Sequence, residues 1–256
     1  MQGGTGLAAR RARAGWGAAA GLGFLALTLA VRAGWLFPAD RAVLAWVAGW
    51  RDCGSIGVAT ALSVIGAGEV SLLLTGLVAA GLLLQRRPRA AVSLLLLYLS
   101  LPIELGLKLV LTQPLAGLLF PIPAACEWYH PALTALTPYS YPSGYAIRVT
   151  YFFVLAGIWL LHERPDATSG QESPGAARKS ARWRPRGWTA VALLGMLLVL
   201  LLASRLVLSW HWPSDLAGGA LLGVALAAAT LVVGWPSATP DATRSAPGAG
   251  FAAPEA

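Results

Sequence analysis

The feature that most constrains this chain is a series of long apolar runs at about Trp16–Phe37, Ile56–Leu84, Ala90–Leu111, Ala146–Leu161, Trp188–Leu208 and Asp215–Trp235. A helix crosses the hydrocarbon core of a bilayer with roughly 20 mainly apolar residues, and these runs have that length. The expected fold class is all-α: a polytopic membrane protein with six spans. Composition agrees, since 57% of the 256 residues are hydrophobic and only 12% are charged, against about a quarter charged in a soluble domain. The second run is longer than one crossing needs, and Gly66-Ala67-Gly68 divides it into a shallow helix and a crossing from about Glu69. Asp40–Trp50 is short and amphipathic and is expected to lie at the interface. Trp35, Trp46, Trp50, Trp188, Trp210, Trp212 and Trp235 fall near run ends, as an aromatic belt does.

The net charge of +8 does not point to nucleic acid, because the basic residues collect in short loops between the apolar runs. Arg10, Arg11 and Arg13 precede the first span, and Arg86, Arg87 and Arg89 separate the second from the third. Arg164, Arg178, Lys179, Arg182, Arg184 and Arg186 lie between the fourth and fifth. Six spans put all three groups on one side, which the positive-inside rule makes cytoplasmic. Residues 1–14 then form a cytoplasmic segment and 15–235 the membrane domain. Within it 163–186 is a mobile cytoplasmic loop, rich in Pro, Gly, Ser and charge. Residues 236–256 read as a disordered tail, so both termini are cytoplasmic. A signal peptide cleaved after Ala33 is the alternative for the start; Arg32 just before that site and the even span count argue against it. Cys53 and Cys126 fit no metal motif. Both fall on the outer side, where an oxidising compartment would allow them to pair.

Ionisable residues inside spans are costly and are functional-site hypotheses by default. They are Arg32, Glu69, Glu104, Lys108, Arg148, Arg205, His211 and Asp215, and most gather near the outer ends of spans three to six. All but two of the 19 basic residues are arginine, so Lys108 inside an apolar run stands out. In Ser204–Asp215, Pro213 suits the first turn of span six. Asp215 follows His211 by four residues, within reach of one imidazole nitrogen, which leaves the other as nucleophile or base. Arg205 adds a planar fork for phosphate oxygens. The plainer alternative is an interfacial histidine and a snorkelling arginine. In Tyr141–Tyr145, Ser143 is a natural N-cap, and Gly144 lets an anion approach the free amides of the first turn. The plainer alternative is a helix start and nothing more.

Together these segments resemble the type 2 phosphatidic acid phosphatase (PAP2) family, which shares its site with vanadium haloperoxidases. The family carries Lys-x6-Arg-Pro, Pro-Ser-Gly-His and Ser-Arg-x5-His-x3-Asp. The third motif is complete from Ser204 to Asp215. The second is Pro142-Ser143-Gly144 with Tyr145 in the histidine's place. The first keeps Lys108, but Leu115-Ala116 stands where Arg-Pro is expected, and Gln113-Pro114 where a further Arg-Pro often precedes it. The resemblance covers roughly Trp16–Trp235 and implies a six-helix PAP2-like bundle with an extracytoplasmic site, suited to the plasma membrane.

The resemblance implies that His211 attacks phosphorus to form a phosphohistidine and that Asp215 orients it. Lys108, Ser143, Gly144 and Arg205 would bind the phosphate. It implies no metal and no cofactor, and a lipid phosphate or isoprenyl diphosphate as the partner in the bilayer. Two parts are missing. The Tyr145 phenol, with a pKa of about 10, is a poor donor in place of a general acid worth roughly 10²–10⁴-fold. Leu115 removes a charge-assisted clamp. Arg148 and His130 are the candidate substitutes, each with a plainer alternative: an ion pair with Glu104 or Glu69, and an ordinary loop histidine. Three outcomes remain open: an active phosphatase with local substitutes, an impaired relative that binds lipid phosphates or a protein partner, and a small transporter or channel. The last is weakest, because the polar residues gather at one face. Haloperoxidase activity is not expected with the clamp incomplete.

Overall fold

The structure, a computed structural model, describes residues 3–126, 138–162 and 185–234. His130, Trp235, the tail 236–256 and most of the loop 163–186 lie outside the described residues. The described residues are helical with no strand: α1 (Gly3–Arg32), α2 (Phe37–Trp50), α3 (Cys53–Ile65), α4 (Gly68–Leu84), α5 (Pro88–Leu94), α6 (Ser100–Leu111), α7 (Gly144–His162), α8 (Pro185–Val207) and α9 (Pro213–Gly234). Six stretches are long and apolar enough to cross a membrane. The chain is an integral, multi-pass membrane protein.

The helix boundaries follow from local chemistry. α1 begins well before the apolar run at Trp16, because the Ala and Arg residues of Leu7–Ala14 are strong helix formers and no proline interrupts the ladder. It ends at Arg32, and Gly34 takes a positive φ of 74° to turn the chain into α2. α2 starts with Pro38 in its first turn and buries Asp40, Leu44 and Val47, one stripe of a surface helix. Its Trp46 and Trp50 are exposed, as is Trp35 on the preceding turn, at 77%. A reciprocal cap between Asp52 and Ser55 starts α3. The long second run breaks at Gly66-Ala67. A Cβ at Gly66 would overlap the Tyr145 ring and Val149, so the glycine lets α7 approach there.

The third span is α5 and α6 joined by a 3₁₀ segment, Leu95–Leu99. Pro102 supplies the reason: its ring crowds the carbonyl four residues back, at Tyr98, and the backbone tightens ahead of it.

α9 is the central helix, flanked by α1, α5 and α7. Its Gly219 and Gly223 press on the α7 backbone at the Ser143 and Ile147 carbonyl oxygens, where a Cβ would overlap. Small residues at a membrane helix interface bring backbones together in this way. The core beside it joins Phe24, Leu97, Tyr141, Ile147, Tyr151, Leu222 and Leu226. Exposed Leu22, Leu73, Leu84 and Val199 face outward, as side chains meeting lipid do. One belt assignment is corrected. Trp212 is fully buried and packs against Phe37 and Phe120 with ring centroids 5.4 and 6.3 Å away.

Candidate active site

The end of α8, the turn after it and the start of α9 carry the third motif. Leaving α8, the chain turns through Ser209, whose φ is +51°. The Arg51 guanidinium holds this turn, donating to the Val207 carbonyl (3.3 Å) and to Ser209 Oγ (2.5 Å). It also donates to the Phe120 carbonyl (3.1 Å) and to that of Pro121. The Trp212 indole donates to the Pro114 carbonyl at 2.8 Å. These contacts press the turn against the segment after α6.

Pro213 opens α9 with its N–H groups free. Asp40, from α2, caps them: its carboxylate accepts from Ser214 N at 2.9 Å and from Ser214 Oγ at 2.6 Å. Burial pushes the Asp40 carboxyl above its ordinary range, and the two Ser214 bonds offset part of that. Asp215 is fully buried. Its Oδ2 accepts from Trp212 N at 2.8 Å and lies 3.4 Å from His211 Nδ1. His211 lines the adjoining cavity, so Nδ1 faces the carboxylate and Nε2 is the nitrogen left for chemistry. Burial pushes the imidazole below its ordinary range; Asp215 pulls the other way, and Lys108 and Arg205 add to the fall.

The second motif meets the third through backbone. Ser143 N donates to the Asp215 carbonyl at 3.1 Å, and Ser143 Oγ accepts from Ala146 N at 3.3 Å, as an N-cap does. Ser140 N donates to the Gln113 carbonyl at 2.9 Å and Ser140 Oγ to that of Pro114 at 3.1 Å, tying in the segment after Lys108.

A cavity of about 400 Å³ opens between these segments. Its polar wall comprises Glu104, Lys108, Arg148, Arg205 and His211, with Gly144 beside them and Leu115 on the apolar side. Lys108 Nζ donates to Glu104 Oε1 at 2.8 Å, and Arg148 lies 3.5 Å from Glu104 Oε2. Arg205 donates to the Ser63 carbonyl at 3.0 Å. Its guanidinium carbon stands 3.5 Å from the Tyr145 ring centroid and 4.7 Å from that of Trp210, a cation–π sandwich. The Tyr145 hydroxyl donates to the Leu62 carbonyl at 3.4 Å.

Lys108, Gly144, Arg205 and His211 therefore share one cavity with Tyr145 and Arg148. Asp215 stands behind His211, and Ser143 is buried as the helix cap. Cys53 and Cys126 are joined, with Cα atoms 5.1 Å apart, and tie α3 to a 3₁₀ turn at Ala124–Cys126. Sequence reasoning missed Asp40 and Arg51. Asp40 opens the amphipathic segment Asp40–Trp50, but no local pattern links it to Ser214, 174 residues away. Arg51 had no signal beyond its charge in an outer segment.

The family profile described as the PAP2 superfamily matches residues 119–238, which hold the second and third motifs but not Lys108. The fold is similar to the crystal structure of the first transmembrane PAP2 type phosphatidylglycerolphosphate phosphatase from Bacillus subtilis. The two share 19% identity over 82% of this chain and 91% of that one, with a TM-score of 0.58. The comparison with curated proteins gives no match.

Proposed function

We propose that this chain, whose residues 119–238 match the PAP2 superfamily profile and whose fold is similar to that of a transmembrane PAP2 phosphatase, is a membrane member of that superfamily and hydrolyses a lipid phosphomonoester or isoprenyl diphosphate at the extracytoplasmic face. The observation that carries this reading is the His211–Asp215 pair on the wall of a cavity that also holds Lys108, Arg148 and Arg205. His211 Nε2 attacks phosphorus, the P–N bond forms and the P–O bond to the leaving group breaks. Asp215 keeps the Nδ1 proton and stabilises the charge left on the ring. Water then cleaves the P–N bond, releasing phosphate and restoring the imidazole. Lys108, Arg205 and the first-turn amides of α7 stabilise the charge on the phosphoryl oxygens, usually the largest single contribution. Arg148 stands in for the cation missing at Leu115. It reaches the cavity from the second turn of α7.

The leaving group narrows the substrate. With the Tyr145 hydroxyl donating to Leu62 and its ring beneath Arg205, proton donation to an alkoxide is weakly supported. A diphosphate, whose leaving phosphate needs less acid help, suits the site better. Phosphate release from isoprenyl diphosphates and phosphatidic acid by the purified protein in detergent tests this. We expect faster release from the diphosphate, and loss of at least about 10³-fold in His211→Ala. Equal residual release in His211→Ala would overturn the phosphohistidine route.

A second reading is favoured by Leu115 and Tyr145 standing where the family's arginine and histidine belong: a relative that binds lipid phosphates without turnover. Retained lipid-phosphate binding with no release from either substrate would support it.

A further inference from the structure

The Glu104 carboxylate sits against the backbone of Gly144 so closely that a Cβ there would overlap it. It accepts from Lys108 at 2.8 Å and lies 3.5 Å from Arg148. We propose that Glu104 is a resident placeholder for phosphate, which a substrate must displace, and that this sets the threshold of contact strength an anion needs in order to bind. The proposal rests on the phosphate-site reading above.

The placement is unlike that of a merely structural ion pair. The three side chains are only 11–16% exposed, so their charges interact in a low-dielectric setting. They nevertheless line an open cavity rather than a closed interface. The carboxylate faces the first turn of α7, where backbone amides lack helical partners, a setting that favours an anion. Two cations and one helix start thus converge on one carboxylate from α6.

Charge arithmetic gives the consequence. Lys108, Arg148 and Glu104 sum to one positive charge. A phosphodiester carries one negative charge and merely exchanges with Glu104, leaving a displaced carboxylate near a new anion. A phosphomonoester or diphosphate carries about two and offers three terminal oxygens, so it forms more charge-assisted bonds than the carboxylate it replaces. Membrane phospholipids are mostly phosphodiesters and outnumber any monoester. An open pair of cations would bind them, whereas the placeholder subtracts one displacement cost from every anion and leaves the weakly held diesters unbound.

Binding of inorganic phosphate and of dimethyl phosphate to the full-length protein in detergent tests this by calorimetry. Wild type is expected to bind phosphate and to discriminate strongly against the diester. Glu104→Gln, which keeps the shape and removes the charge, should tighten both ligands by about tenfold or more, bringing dimethyl phosphate into the measurable range. Unchanged affinities in Glu104→Gln, with phosphate still binding and lost in Lys108→Met, overturn the placeholder alone. No phosphate binding in either protein overturns the placeholder and the phosphate site together. Should the variant fail to fold, infrared difference spectra of wild type decide. Phosphate should shift a carboxylate stretch as Glu104 leaves its partners, and phosphate bound with no such shift overturns the proposal.

Discussion

At the scale of single residues, His211 shows how burial would prepare the proposed nucleophile. Burial lowers its pKa, so the folded protein holds the ring neutral where the free side chain would start to protonate. The sign follows from linkage. Stability from a lowered pKa is fully present above the unfolded value, near 6.5, and is lost as pH falls through the folded one. The thermal midpoint should therefore drop between pH 7.5 and 5.5, and His211→Gln should flatten part of that slope. Phosphate release should keep its nucleophile below pH 6.5, so the acid limb of the rate profile lies beneath the ordinary histidine range. An acid limb at or above pH 6.5 would contradict the burial argument.

Which residues could be read in advance depended on the distance of their partners. His211 and Asp215 are four apart, and a four-residue spacing already fixes proximity. Arg148 was open between the missing cation and an ion pair with Glu104 or Glu69; it lines the cavity and stands beside Glu104. The contact of Glu104 with Gly144 and the Asp40 cap on Ser214 join residues distant in sequence. Such contacts come from helix packing, which no local pattern records.

At the scale of elements, the site depends on the seam between α7 and α9. Both helices begin at it, at Gly144 and Pro213, and the Ser143 N–H donates to the Asp215 carbonyl across the join. Gly219 sits one turn further along α9, against the Ser143 carbonyl and 2.8 Å from Ala146 Cβ when a Cβ is built on it. Gly219→Val should push the two helices apart, costing about 1–3 kcal/mol by overpacking. Phosphate release should fall further than the loss of folded protein explains, because His211 and the α7 amides would no longer face one phosphate. Thermal melting beside activity per folded molecule separates the two effects; activity that merely tracks folded protein would make the seam structural only. Length and hydropathy made the spans legible, since a bilayer fixes both. The 3₁₀ stretch before Pro102 and the burial of Trp212 were not legible, because an apolar run looks alike whether it is kinked or straight, and a tryptophan near a span end suits lipid or core equally.

At the scale of the whole molecule, the proposed outward orientation of the cavity rests on two features. The basic segments at Arg10–Arg13 and Arg86–Arg89 flank the ends of spans opposite the cavity, and on the positive-inside rule those ends are expected in the cytoplasm. Cys126, bonded to Cys53, packs in one cluster with Val207 and Leu208 and with Trp210, which lines the cavity, and disulfides persist in oxidising compartments rather than in the cytosol. The bond closes a separation of 73 residues and holds the segment from which Phe120 and Pro121 accept the Arg51 donors. Cysteine labelling tests the orientation in intact cells, with Cys53 and Cys126 both changed to serine. Leu118 is 72% exposed at the cavity rim, so Leu118→Cys should react with a membrane-impermeant maleimide from outside. Arg86→Cys, in the exposed turn between α4 and α5, should react only after permeabilisation. The reverse pattern would place His211 in the cytosol, remove the oxidising surroundings the disulfide requires, and transfer the proposed chemistry to the inner leaflet.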